Sequence, residues 1–264
     1  MIDSKRIFFF FISLTAFLSQ SCGIEGESES SNIRILENLD SYVIAHACNW
    51  TQFNDPINSR AAFEASLQLK IFGVEFDVNQ TADGIFVVYH NSEINNRNIR
   101  TLNYSELSDV RLSNGEKIPT LEEFMTIYKS SDSMIKLIIE LKTGNPNLLI
   151  KKISDYGLLD RVLFVSFSQD YCNELVKAGF EHKVIYNASN ESEALSPLEI
   201  RQKGYWGFSY HYALLEAHEN WIEEASQNGV RACAWVIDDP TKVEAYVNRK
   251  IIVTTNYPWI FSSL

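Results

Sequence analysis

Residues 74–78 read Val74-Glu75-Phe76-Asp77-Val78, an apolar run that carries two carboxylates at i and i+2. Alternate side chains of a β-strand share a face, so Glu75 and Asp77 point one way and Val74, Phe76 and Val78 the other. Two acids on one face of a buried strand repel each other unless a proton or a cation stands between them. This stretch therefore asks for an apolar layer behind it and a positive charge in front of it.

Outward from this strand, β-rich apolar runs recur at Tyr42–Ala45, Phe72–Val78, Ile85–Tyr89, Ile135–Leu141, Val162–Phe167, Val184–Tyr186, Trp206–Ser209, Ala232–Ile237 and Ile251–Thr254. Helix-patterned segments lie between most of them, at Ala61–Leu69, Leu121–Tyr128, Asn147–Tyr156, Asp170–Ala178, Pro197–Lys203, Ala213–Gln227 and Thr241–Asn248. Strands alternating with helices predict parallel βαβ units. No Gly-x-Gly-x-x-Gly follows the first strand, which weighs against a doubly wound dinucleotide-binding sheet. About eight units in one body of about 240 residues predict an α/β fold of the TIM (β/α)8 barrel class, with Ile85–Tyr89 as a surplus piece outside the barrel count.

Barrel active sites lie at the C-terminal ends of the strands, and chemically capable side chains cluster at those ends here. Glu140 closes the run Ile135–Leu141 and Lys142 follows at i+2, on the same face. Glu75, Asp77 and Glu140 form an all-oxygen set suited to a hard divalent cation, Mg²⁺ or Ca²⁺, in preference to zinc. His46 ends the first run and His90 follows the third. If the two meet at the mouth, one takes a proton while the other gives one, as phosphodiester cleavage requires. Lys142 joins the cation in neutralising phosphate charge.

With these residues in place, the chain resembles the glycerophosphodiester phosphodiesterase family. The resemblance rests on His46, then NSRAAFEASLQLKIFGVEFDVNQTADGIFVVYHN (58–91), KIPTLEEFM (117–125), LIIELK (137–142), AWVID (234–238) and VTTNYP (253–258). It runs in order from about residue 42 to 260 and implies a barrel of the phospholipase C-like phosphodiesterase type. It further implies a divalent ion on Glu75, Asp77 and Glu140, with acid/base work by His46 and His90. A substrate hydroxyl would attack the neighbouring phosphate, and water would open the cyclic intermediate. The expected products are glycerol 3-phosphate, or a related phosphomonoester, and an alcohol. Trp235 matches an aromatic near the mouth that walls the substrate.

Four positions depart from the family pattern. His46-Ala47-Cys48 stands for His-Arg-Gly, Ile57-Asn58-Ser59 for Glu-Asn-Thr, His90-Asn91 for His-Asp, and Thr255-Asn256-Tyr257-Pro258 for Thr-Asp-x-Pro. Each removes a charged group while the metal acids, both histidines and Lys142 remain. That pattern predicts an active enzyme with an altered pocket. The alternative is a non-catalytic or substrate-altered binding lipoprotein on the same barrel. A glycosidase, whose two acids flank the scissile bond from different strands, fits one strand bearing Glu75 and Asp77 less well.

At the N-terminus, Lys5 and Arg6 precede an apolar core and then Ser19-Gln20-Ser21-Cys22-Gly23. The core is shorter than the ~20 residues of a spanning helix and reads as a secretory signal. Its ending resembles a bacterial lipoprotein signal with Cys22 as the lipidated residue. The expected organisation is thus a signal over 1–22, a flexible acidic tether over 23–36 and the barrel over 37–264. The protein would be exported and lipid-anchored in the bacterial cell envelope, in the periplasm or at the outer membrane. A formal net charge of −11 argues against nucleic acid and against charge-driven docking on anionic lipid, so contact with membrane is expected only through that anchor. The expected partner is a small phosphodiester, and the oligomeric state is not legible. Cys48, Cys172 and Cys233 are too few and too widely spaced for a disulfide framework and read as small buried residues.

Overall fold

A computed structural model of the chain describes residues 41–262; the signal, Cys22 and the acidic tether lie outside the described residues. The order of elements is β1 (Val43–Ala45), α1 (Arg60–Ser66), β2 (Gly73–Gln80), β3 (Phe86–Val88), β4 (Glu93–Ile94), β5 (Arg97–Asn98), α2 (Leu121–Lys129), β6 (Lys136–Thr143) and α3 (Pro146–Asp155). There follow β7 (Val162–Ser166), α4 (Gln169–Leu175), β8 (Val184–Ala188), α5 (Pro197–Gln202), β9 (Gly207–His211), α6 (Tyr212–Ala217), α7 (Asn220–Gln227), β10 (Arg231–Trp235), α8 (Pro240–Asn248) and β11 (Ile252–Thr255).

Eight of these strands pair in parallel in the order β1-β2-β6-β7-β8-β9-β10-β11, and β11 returns to β1 through Val43–Val253 and Ala45–Thr255. The ring closes as the expected (β/α)8 barrel. The surplus run at 85–89 becomes β3, which pairs antiparallel with β2 and lies outside the ring. It introduces an excursion not anticipated from the sequence, comprising the β4–β5 hairpin and two 3₁₀ turns packed over Val87, Ile99, Leu102, Leu107 and Ile118. The excursion ends where Thr120 and Glu123 reciprocally cap α2, which gives the Ile118-Pro119-Thr120-Leu121 segment a local role as a helix start.

The predicted helix over 213–227 is two helices. His218 leaves helical geometry (φ −127°, ψ 60°), and its ring stacks on Trp221 with centroids 4.1 Å apart. The break lets α6 bury Leu214 and Leu215 beside β9 and β10, while α7 buries Ala225 beside α5 and β10. One straight helix serves only one of those directions.

Two apolar cores flank the strands. Inside the barrel, Tyr42, Ile44, Ile138, Leu163, Val165, Ile185, Cys233 and Ile252 fill the lower part of the lumen. Outside, the other faces pack against the helices. Behind β2, Phe76 meets Phe63 of α1 edge-on at 5.7 Å and Phe124 of α2 at 5.1 Å, and Phe63 stacks on Phe124 at 4.0 Å. All three rings are fully buried. The alternation of residues 74–78 is thus satisfied on its apolar side, and the strand that carries the acids is clamped from behind.

The clamp has a measurable cost of removal. Phe63→Ala should lose about 3–5 kcal/mol of unfolding free energy in urea titrations, since a buried aromatic is deleted without collapse of its neighbours. A loss under about 1 kcal/mol would mean that this ring trio does not brace the strand.

Candidate active site

The C-terminal ends of the barrel strands surround a cavity of about 310 Å³ whose lining includes His46, Glu75, His90, Glu140, Lys142 and Trp235. Every side chain singled out from the sequence for catalysis or substrate contact reaches this cavity, as do two of the three acids. Asp77, the third acid, is 2 % exposed and lies beside the cavity-lining Lys142.

The acids arrive together because their strands are neighbours in register. Asp77 of β2 lies opposite Glu140 of β6. One oxygen from each of Glu75, Asp77 and Glu140 falls within 4.8 Å of the others. Lys142 Nζ lies 3.0 Å from Asp77 Oδ1 and 2.6 Å from Glu140 Oε1. An edge strand with both acids in water is thereby excluded, since β2 lies between β1 and β6 and Glu75 is 7 % exposed.

Burial, reinforced by Asp77 and Glu140, pushes the Glu75 carboxyl well above the usual carboxylate range. Burial also raises Glu140, with Lys142 opposing. Burial disfavours the Lys142 cation as well, but the facing Glu140 and Asp77 outweigh it and hold the ammonium protonated. One positive charge thus serves three acids. Glu75 Oε1 is left buried without a hydrogen-bond partner, although its other oxygen accepts from the Ala47 N–H at 2.8 Å. An all-oxygen cluster with an unpartnered buried acceptor and surplus negative charge fits a divalent cation of the hard class.

One of the four departing segments, Ala47-Cys48, has an unusual backbone conformation. Ala47 and Cys48 both have positive φ, 47° and 74°, the left-handed region that usually favours glycine. This turn aims the Ala47 N–H at the Glu75 carboxylate and the Cys48 N–H at the Glu75 carbonyl, 3.0 Å away. Cys48 is fully buried, as are Cys172 and Cys233, and all three are free thiols.

Both histidines hold an amide at Nδ1. His46 Nδ1 is 2.8 Å from Asn256 Oδ1, and His90 Nδ1 is 3.1 Å from Asn91 Oδ1. These are the two positions where the family resemblance calls for a carboxylate. Burial lowers the His46 pKa, with the Asn256 contact opposing; the ring is therefore neutral near pH 7. His90 is exposed at the mouth.

Three residues that sequence reasoning passed over complete the support. Asn58 donates to Asp77 Oδ2 at 2.7 Å and accepts from the Asp77 N–H at 3.1 Å. Asn79 donates to the carbonyls of Tyr89 and Asn91 at 2.7 and 3.1 Å, tying down the turn that presents His90. Asn79 continues the inward alternation Glu75, Asp77, Asn79, a signal available in the sequence; Asn58 lies in a loop, where its one signal is that it matches the asparagine of the family's Glu-Asn-Thr. Asn187 lines the cavity with a buried Oδ1 that lacks a partner. Trp235 donates to the Ser209 carbonyl at 2.9 Å and meets Phe167 and His211 edge-on. The Tyr210 ring, by contrast, is fully buried away from the cavity, with its hydroxyl on the Leu195 carbonyl.

Comparison with known proteins agrees with this geometry. The model of the glycerophosphoryl diester phosphodiesterase family matches residues 52–255. A glycerophosphodiester phosphodiesterase of Caldanaerobacter subterraneus subsp. tengcongensis is 25% identical over 229 residues, covering 79% of this chain and 90% of its own length. The crystal structure of a glycerophosphodiester phosphodiesterase from Parabacteroides distasonis is 32% identical, with TM-score 0.77 over 83% of this chain and 94% of that one. An Oleispira antarctica phosphodiesterase, solved in complex with the product sn-glycerol-3-phosphate, shares the fold at 21% identity and TM-score 0.71, over 84% of this chain and 95% of that one. A family match across most of the barrel, on a chain that gathers acids and histidines at one mouth, places this protein in the glycerophosphoryl diester phosphodiesterase family, whose members are phosphoric diester hydrolases.

Proposed function

We propose that the chain is a divalent-metal-dependent hydrolase of glycerophosphodiesters, releasing sn-glycerol 3-phosphate or a closely related phosphomonoester together with a free alcohol. One observation carries this reading: a single cavity joins a three-carboxylate cluster to two histidines. The product bound to the Oleispira relative supports the choice of product.

Glu75, Asp77 and Glu140 would hold the ion, Mg²⁺ or Ca²⁺. When bound, it supplies positive charge to the non-bridging phosphate oxygens. The remaining work falls to the chain's own groups. Neutral His46 takes the proton from the substrate hydroxyl next to the phosphate, and that oxygen attacks phosphorus. His90 gives a proton to the departing alkoxy oxygen as its bond to phosphorus breaks, leaving a cyclic phosphate. His90 then takes a proton from water, the water oxygen attacks phosphorus, and the ring bond opens as His46 returns its proton to the oxygen it came from. The histidines end as they began. Lys142, which lines the cavity beside Asp77 and Glu140, would add charge to the phosphate side. Phe167 and Trp235 wall the organic part of the substrate.

At its N-terminus the protein would be exported and lipid-anchored through Cys22 in the bacterial envelope, a reading that rests on residues 1–36. Among the described residues, no helix is long and apolar enough to cross a membrane.

Purified protein should hydrolyse glycerophosphodiesters only with added divalent ion, and His46→Ala and Glu75→Gln should each lower kcat by about 10²–10⁴-fold. Ligand binding without turnover across the panel, or full activity in either variant, would overturn the assignment. With saturating ion, the acid limb of kcat/KM should fall below about pH 6.5, because burial lowers the His46 pKa. The thermal shift produced by Mg²⁺ or Ca²⁺ should grow with pH. In ion-free protein, the raised Glu75 pKa contributes stability below the ordinary glutamate value and loses it as pH rises through the folded value, and the ion replaces that proton. A shift equal at about pH 5 and about pH 8 would contradict the carboxylate site. Palmitate labelling of the full chain in a bacterial host should disappear in Cys22→Ser; retained labelling would refute the anchor.

A further inference from the structure

An amide beside an imidazole has an ambiguity that a carboxylate lacks. It can present either its oxygen or its NH₂ to Nδ1, and the two choices leave the histidine in opposite tautomers. In this protein the choice is made by a third residue. Asp238, in the loop between β10 and α8, accepts the Asn256 backbone N–H at 2.9 Å and the Thr255 hydroxyl at 3.0 Å through Oδ1. Its Oδ2 accepts the Asn256 Nδ2 at 2.9 Å. An ionised carboxylate only accepts, so the Asn256 NH₂ must face Asp238 and the Asn256 oxygen must face His46. Nδ1 must then carry the ring proton, and Nε2 keeps the lone pair that a base requires.

We propose that Asp238 is a positioning residue that fixes the tautomer of His46 through Asn256, supplying at one remove the carboxylate that the position beside the histidine lacks. The inference rests on the reading of His46 as the proton acceptor. It also revises the view that the change at Asn256 simply strips charge from the site: a carboxylate is present, displaced by one side chain. The arrangement transmits orientation and keeps the negative charge off the ring. The charged and titratable groups that act on His46 are Asp77, His90 and Lys142, and none is altered by changes at 238 or 256.

The test compares Asp238→Asn, Asn256→Asp and the double exchange Asp238→Asn/Asn256→Asp. In Asp238→Asn, either amide can flip, so ¹⁵N NMR of His46 in the ion-free protein should change from one tautomer, Nδ1 protonated, to a mixture. Its kcat should fall about 10–100-fold with KM little changed. Asn256→Asp alone sets two carboxylates face to face and should be the most impaired. The double exchange restores an amide–carboxylate pair in reverse order. It should recover the Nδ1-protonated tautomer and most of kcat, with the acid limb of kcat/KM moved upward because the carboxylate now touches the ring.

An unchanged tautomer and kcat in Asp238→Asn would overturn the proposal, as would a loss of stability and kcat with the tautomer intact. If Asp238→Asn fails to fold, the double exchange decides: recovered tautomer and activity support the lock, and a folded but inactive exchange with mixed tautomers refutes it. The NMR readout needs no turnover. A tautomer change in Asp238→Asn alongside full activity in His46→Ala would leave the lock standing and bring down the base assignment alone.

Discussion

Three carboxylates whose oxygens lie within 4.8 Å of one another at the mouth of a barrel are a charge problem, and the local structure is arranged around it. Lys142 answers for one negative charge. The Asn58 amide and the Ala47 N–H answer for individual oxygens. The remainder is left for a cation, and the unpartnered Glu75 oxygen marks where the compensation is missing. Such a cluster contributes little to stability by itself, because desolvating each carboxylate offsets most of what its partners return. The strand is held by the opposite face, where Phe76, Phe63 and Phe124 interlock. Alternation in a single strand divides the labour: one side supplies packing energy and the other bears the electrostatic cost.

The histidines show a second economy. Where the family pattern puts a carboxylate beside each ring, this chain puts Asn91 and Asn256. A carboxylate orients an imidazole and raises its basicity in the same act. An amide separates the two effects, and for His46 burial then sets the basicity. The separation requires that the amide itself be oriented, which is why Asp238, away from the reacting groups, belongs to the same set of constraints.

Much of this was legible in the amino-acid order. Glu75 and Asp77 announced a shared face, Glu140 and Lys142 repeated the spacing, and the alternating runs predicted the barrel and set β3 apart from it. These features are periodic, and periodicity survives in a string of letters. The break at His218 was hidden because the apolar pattern continues across it; what ends α6 is a ring stack and a change of packing direction. Asn58 and Asp238 stood inside stretches that resemble the family, but their roles were hidden for another reason. Both lie in loops where strand or helix period says nothing, and their value comes from neighbours 19 and 18 positions away. Asn79 lies between these cases, carrying the inward alternation but no charge to draw attention to it.

The apolar plug of the lumen, from Tyr42 and Ile44 to Cys233 and Ile252, makes the reaction chamber a blind alley. On the mechanism proposed, water must approach phosphorus along the path that the first alcohol vacates, because the floor offers no second approach. Departure of that alcohol and arrival of water are then one exchange of occupants through a single doorway. A bulky alcohol slow to quit it would hold the cyclic phosphate waiting, dry, behind it. On that mechanism, turnover would depend on exchange past Phe167 and Trp235 at the cavity wall as well as on the proton transfers.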